Sequence, residues 1–303
     1  MSAVERDTHN GSVPARVAST DGRSTLSSAR CDPSHGAEIQ HRTRQMPMTI
    51  AISSQKGGVA KTTTCYSLGA SLAELGYTAL LIDMDPQANL TVSFGLNPEN
   101  MHHTVGDVLL EHNSVVAVSR EGPMPNLDIV PANQGLVVLD RVLYGRHAYE
   151  TRLKNQLDAM NSNYYDVVII DCPPHFGTLT LNALTAADLL IIPVQCEYYA
   201  ARAMRPVLKL VQLMRRKTNP NLTYRVLVTM YDRRNRINRI ILEQIRETFR
   251  SALFETMIEV DTKLRESPTA GLPINLYAPR TRGARQYRAL AQELLDSGPR
   301  QPE

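Results

Sequence analysis

Two lysines five residues apart bracket a glycine pair in Gln55-Lys56-Gly57-Gly58-Val59-Ala60-Lys61-Thr62-Thr63-Thr64. This stretch limits what the chain can fold into more than any other. Glycine removes the Cβ, so consecutive backbone N–H groups can turn into one concavity and bind phosphate oxygens at the start of a helix. Such a loop needs a strand before it and a helix after it. The chain supplies both: residues 48–53 read Met-Thr-Ile-Ala-Ile-Ser, a short apolar strand, and residues 62–75 carry apolar side chains at helical spacing before Gly76. In that setting Lys61 reaches the β and γ phosphates of a nucleotide. The Thr62 hydroxyl ligates Mg2+, a cation that prefers hard oxygen ligands and keeps several waters.

The common phosphate-loop pattern GxxxxGK(S/T) wants glycine at 55 and 60, where this chain has Gln55 and Ala60. The residues match the deviant form KGGxxK(S/T) instead, and in this the chain resembles the ParA/MinD group of P-loop ATPases. The resemblance implies ATP and Mg2+ as cofactors, with nucleotide contacts from Lys56, Gly57, Gly58, Val59, Ala60, Lys61, Thr62 and Thr63. It also implies a sandwich homodimer in which Lys56 reaches the phosphates of the partner subunit. Hydrolysis coupled to dimerisation would make ATP a switch more than a fuel, and slow intrinsic turnover is expected. Ala60 stands where the family has glycine, so one methyl group must be tolerated near the phosphates.

Two apolar runs end in carboxylates: Ala79-Leu80-Leu81-Ile82-Asp83-Met84-Asp85-Pro86-Gln87 and Val167-Val168-Ile169-Ile170-Asp171-Cys172. Acids at the C-terminal end of a strand face the ligand crevice of an α/β sheet. The first resembles the family's DxDPQ element, which implies that Asp85 positions the attacking water and that Asp83 is structural. The second resembles its Walker B strand, which implies that Asp171 holds Mg2+ through water.

Further strings resemble the ParA/Soj branch: residues 127–132, 177–184, 192–200 (Ile-Pro-Val-Gln-Cys-Glu-Tyr-Tyr-Ala), 229–232 and 264–268. The resemblance runs from about Met48 to Leu295. Six apolar strand-like runs, at 48–53, 78–82, 127–130, 167–170, 189–194 and 224–230, alternate with helical segments. That order predicts an α/β fold: a doubly wound, mostly parallel sheet with helices on both faces. The four cysteines have no metal-ligand spacing and suit a reducing cytosol. Residues 1–47 are rich in Ser, Thr, Gly, Asp, Arg and His without apolar periodicity. They are expected to be disordered, either as a flexible arm or as a mis-assigned start, before an ATPase domain over 48–297 and a flexible tail over 298–303.

The net charge is only +3, but residues 202–288 hold 19 Lys and Arg against 7 Asp and Glu, a local excess of 12 positive charges. Within 237–250, Ile237, Ile241, Leu242, Ile245 and Phe249 form one helical stripe, with Arg239, Arg246 and Arg250 on another face. Such a patch suits sequence-independent binding of double-stranded DNA through its phosphates. The resemblance places Arg234 at a DNA-contacting position. A second such position is occupied by Val260, between Glu259 and Asp261, which replace nucleotide-contacting neighbours of the family; Lys263 and Arg265 are candidates to compensate.

The resulting expectation is a partition ATPase of chromosome or plasmid, cytoplasmic and nucleoid-associated, released from DNA when a ParB-like centromere-binding partner stimulates hydrolysis. Two other readings share the loop: a MinD-like cargo-positioning ATPase and a non-hydrolysing, ATP-switched DNA-binding regulator. Membrane attachment would need an amphipathic helix at the C-terminal end. Residues 283–295 carry Tyr287, Leu290, Ala291 and Leu294, which the resemblance assigns to a packed last helix, so no membrane is expected.

Overall fold

The computed structural model describes residues 47–198 and 200–297. Apart from Pro47, the expected leader and tail lie outside the described residues. Among the described residues seven strands form one sheet: Met48–Ile52 (β1), Ala79–Asp83 (β2), Arg120–Glu121 (β3), Leu127–Val130 (β4), Val167–Asp171 (β5), Leu189–Gln195 (β6) and Thr223–Thr229 (β7). Their order is β3-β4-β2-β5-β1-β6-β7, and every pairing is parallel except that of β3 with β4. All six strands expected from the apolar runs are present. The exposed two-residue β3 is too short and polar to leave a periodic signal.

Alternation along each strand divides the core between the two faces. Ile50, Ile52, Leu81, Ile169 and Ile191 pack on one side with Leu68 and Leu72 of the helix Lys61–Glu74 (α1) and with Tyr287, Leu290 and Leu294 of the last helix, Arg282–Ser297. Ala51, Leu80, Ile82, Val168, Ile170 and Ile192 face the opposite layer, which includes the helices Thr178–Ala186 and Arg236–Phe249. Strands covered on both faces read as continuous apolar runs, as these do.

The last helix buries the stripe considered above for membranes: Tyr287, Leu290, Ala291 and Leu294 are at most 1% exposed, and the Tyr287 hydroxyl meets Thr64 Oγ1 of α1 at 3.0 Å. Among the described residues no helix is long and apolar enough to cross a membrane.

In the helix Arg236–Phe249, Ile241, Leu242, Ile245 and Phe249 are buried, but Ile237 is exposed, so the inward stripe starts one turn later than its spacing predicted. Asn235 caps this helix by accepting from the Ile237 N–H at 3.1 Å.

Candidate functional site

β1 sits between β5 and β6, and the chain winds outward from it in both directions, first to β2 and β4 and later to β6 and β7. The reversal leaves a crevice at the C-terminal ends of the central strands. The segment Gln55–Ala60 spans that crevice between β1 and α1. Gly58 has φ +73° and Ala60 φ +65°, both left-handed. Ala60 precedes the first residue of α1 without capping it through a side chain. Among the described residues, the backbone N–H groups of Val59 through Thr63 donate to no protein acceptor. The first turn of a helix leaves such donors orphaned, and a cluster of them carries the positive end of the helix dipole.

A cleft of about 510 Å³ opens over this loop, lined among others by Gly58, Lys61, Thr62, Thr63 and Asp85. A hollow of about 40 Å³ adjoins it behind Ala60 and Thr63, lined by Glu259, Val260, Asp261 and Arg265. Lys61 is 9% exposed. The Thr62 hydroxyl donates to Asp171 Oδ2 at 2.6 Å. Parallel register sets Asp83 and Asp171 side by side at the ends of β2 and β5.

The acids differ in their surroundings. Asp83 is wholly buried and satisfied: it accepts from the Thr91 N–H at 2.9 Å, the Thr91 hydroxyl at 2.8 Å and the Asp85 N–H at 3.1 Å. Burial raises its carboxyl to about 6 against those bonds. Asp85 accepts from the Gln87 N–H at 2.9 Å and lines the cleft. Asp171 is 1% exposed, and its Oδ1 has no hydrogen-bond partner. Burial first, and then the Asp83 carboxylate, push Asp171 well above the usual carboxylate range, while Thr62 and Lys61 pull it down.

A buried carboxyl oxygen with no partner, beside two further acids, is a place where a bound cation could take over from a proton. Among the described residues no three His, Cys, Asp or Glu converge to cage a metal. The donor set of one hydroxyl and one carboxyl consists of hard oxygens, which would suit Mg2+, a cation that prefers such ligands and keeps several waters.

Lys56 is exposed and bound within its own chain: Nζ donates to Gln195 Oε1 at 3.1 Å and pairs with Glu197 at 2.5 Å. Glu259 and Asp261 border the hollow, but their carboxylates are engaged elsewhere. Glu259 pairs with Arg233 at 2.5 Å and with Arg282 at 2.9 Å, and accepts from Gln286 at 3.0 Å. Asp261 accepts from the N–H groups of Lys263 at 3.0 Å and Gly283 at 2.9 Å. The departures from the family pattern are thus taken up by ion pairs and caps.

The basic candidates Arg234, Arg239, Arg246, Arg250, Lys263 and Arg265 are all exposed, and three pair with nearby acids: Arg234 with Asp232, Arg246 with Glu243 and Lys263 with Glu266. These surface pairs are weak and leave the cations accessible to a polyanion.

Sequence reasoning gave no role to Gln195 or Thr229. Each is a polar residue ending an apolar strand beside the crevice, and that position was the available signal.

The family described as AAA domain matches residues 47–224. The chain is 42% identical over 254 residues to the sporulation initiation inhibitor protein Soj of Bacillus subtilis, covering 84% of this chain and 100% of that protein. It is 38% identical over 247 residues to the chromosome partitioning protein ParA of Myxococcus xanthus, covering 81% and 87%. A cobyrinic acid a,c-diamide synthase from Mycobacterium smegmatis, solved with bound ADP and magnesium, has a TM-score of 0.73 at 35% identity, covering 83% of this chain and 95% of that one. A plasmid partition protein of Borrelia burgdorferi bound to AMPPNP has a TM-score of 0.69 at 25% identity, covering 83% and 99%. With the strand, deviant loop, helix and acid-tipped strands assembled as described, the chain belongs to the ParA/Soj family of P-loop ATPases.

Proposed function

We propose that the chain is a partition ATPase that uses ATP to switch between a DNA-bound dimer and a released form. The observation that carries this reading is the Thr62 hydroxyl at 2.6 Å from Asp171, whose other oxygen is buried and unpartnered at the foot of a helix N-terminus. Solved relatives hold ADP with magnesium or AMPPNP, which supports ATP and Mg2+ as the pair this site takes. The N–H groups of Val59 to Thr63 take the phosphate oxygens, with Gly57, Gly58 and Lys56 flanking them, and Lys61 offsets charge on the β and γ phosphates. Mg2+ bound through Thr62 and Asp171 would neutralise charge that develops as the γ-phosphoryl leaves. Asp85, which lines the cleft, orients the attacking water.

Lys56 is long, exposed and held only by a surface ion pair and one amide, so it is free to leave for a second subunit's phosphates. Surface pairs of this kind contribute about 0–1 kcal/mol. Dimerisation and hydrolysis would then be one coupled event. The exposed arginines of the helix Arg236–Phe249, with Arg234, Lys263 and Arg265, supply a phosphate-binding surface for duplex DNA of any sequence. Similarity to chromosome partitioning proteins supports a ParB-like partner that stimulates hydrolysis and release, and a cytoplasmic, nucleoid-associated protein.

The switch is tested by DNA affinity of the full chain with ATP and with ADP, measured by fluorescence anisotropy at two salt concentrations. ATP should strengthen binding at least tenfold, and the Asp85→Ala variant should bind ATP yet stay on DNA because it hydrolyses poorly. Equal affinity with the two nucleotides would refute the switch.

A further inference from the structure

Two strand ends grip the phosphate loop from outside. Gln195, the last residue of β6, donates from Nε2 to the Gly58 carbonyl at 2.9 Å. Thr229, the last residue of β7 and wholly buried, donates from Oγ1 to the Val59 carbonyl at 3.1 Å, with the Val194 carbonyl as a longer alternative at 3.4 Å. These contacts join residues 137 and 170 positions apart in sequence.

A trans peptide is planar, with its C=O and the following N–H pointing in opposite directions. Fixing the Gly58 carbonyl toward Gln195 therefore turns the Val59 N–H the other way. Fixing the Val59 carbonyl toward Thr229 does the same for the Ala60 N–H. Neither N–H has a protein acceptor among the described residues. The two planes are consecutive and flanked by left-handed Gly58 and Ala60, the alternation that makes a concave anion nest. Were either plane to flip, a carbonyl oxygen would replace an N–H where a phosphate oxygen sits.

We infer that Gln195 and Thr229 are positioning residues, which hold consecutive peptide planes of the loop so that the Val59 and Ala60 N–H groups face the β-phosphate. The same Gln195 amide holds Lys56 through Oε1 and contacts Met230 Sδ at 2.8 Å through Nε2, so one side chain sets the loop and keeps the exposed lysine beside it. This rests on the loop being the nucleotide site.

The test is calorimetric titration of the full chain with ADP, which carries the β-phosphate and avoids hydrolysis. Thr229→Val preserves shape and removes the donor, and Gln195→Leu removes all three amide contacts, the one to the Gly58 carbonyl among them. Each should weaken ADP about tenfold, the scale of one orphaned carbonyl beside a charged ligand. Thr229→Ser should restore affinity to within twofold. ADP binding by Thr229→Val and Gln195→Leu within twofold of the parent overturns the inference, as does Thr229→Ser binding no better than Thr229→Val. Should Thr229→Val not fold, Gln195→Leu decides by the same criterion. Lys61→Ala separates the two levels: if it too binds ADP normally, the loop is not the site, whereas its failure beside normal Thr229→Val and Gln195→Leu sinks only the positioning role.

Discussion

At position 60 the sequence posed a question about a methyl group near phosphates, and the backbone recasts it. Ala60 sits at φ +65° and ψ 36°, a left-handed conformation that costs a residue with a Cβ about 1–2 kcal/mol. Glycine would relieve that strain but lose more entropy on folding, so the net gain for Ala60→Gly is about 1 kcal/mol or less. The expected result is a melting temperature equal to or slightly above the parent's. The same change at exposed, mid-helix Ala289 should cost about 1 kcal/mol, because there glycine only loosens the helix. Parallel melts of the two variants decide it; equal losses would mean that the loop tolerates alanine without strain. The neighbouring site residues were legible as types at fixed spacing. Lys61, Thr62 and Asp171 each carry chemistry that phosphate and Mg2+ demand, and the fold brings the latter two together at 2.6 Å. Gln195 and Thr229 were legible only as polar residues at strand ends, because no residue type announces a bond to a distant carbonyl.

Among the elements, long apolar runs were the readable part. β4 begins and ends where its run does; β1, β5 and β6 differ from theirs by one residue at one end, and β2 and β7 by one residue at both. What could not be read was the service that polar residues give to elements remote in sequence. Asp261 illustrates this: it stands where the family has a nucleotide-contacting residue, and its carboxylate accepts from the Lys263 N–H at the start of the short helix Lys263–Glu266 and from the Gly283 N–H in the first turn of the last helix. A carboxylate there satisfies orphaned donors and opposes the helix dipole favourably. Asp261→Ala should therefore cost about 1 kcal/mol. Melting should fall by about 2–4 °C in nucleotide-free protein, with ADP affinity unchanged. A tenfold loss of ADP affinity with unaltered melting would instead put Asp261 on the nucleotide.

For the whole molecule, the last helix closes the sheet and connects its far edge to the phosphate loop. β7 is the terminal strand, and its edge is covered by the following segment: the Phe254 N–H donates to the Val226 carbonyl at 2.9 Å and the Ile258 N–H to the Val228 carbonyl at 2.9 Å. Covering an edge this way removes a template for unwanted pairing. Glu293 fastens the cover by accepting from the N–H groups of Glu255 and Thr256 at 2.9 Å each and from Arg225 of β7 at 2.7 Å. Six residues earlier on the same helix, Tyr287 meets Thr64 of α1, so edge and loop share one clasp. Burial pulls the Glu293 carboxyl up, but the two N–H groups and Arg225 outweigh it, leaving it below the usual glutamate value. A carboxyl lowered in the folded state contributes stability that is present above its unfolded value, near 4.3, and lost as pH falls through the folded one. Glu293→Gln keeps the shape and one acceptor but drops the charge, at a cost of about 1.5 kcal/mol near neutral pH. Melts of parent and variant should therefore differ by several degrees at pH 7 and converge as the pH falls below about 4. A gap that persists undiminished into strong acid would show that packing, and not the charge, makes this clasp hold.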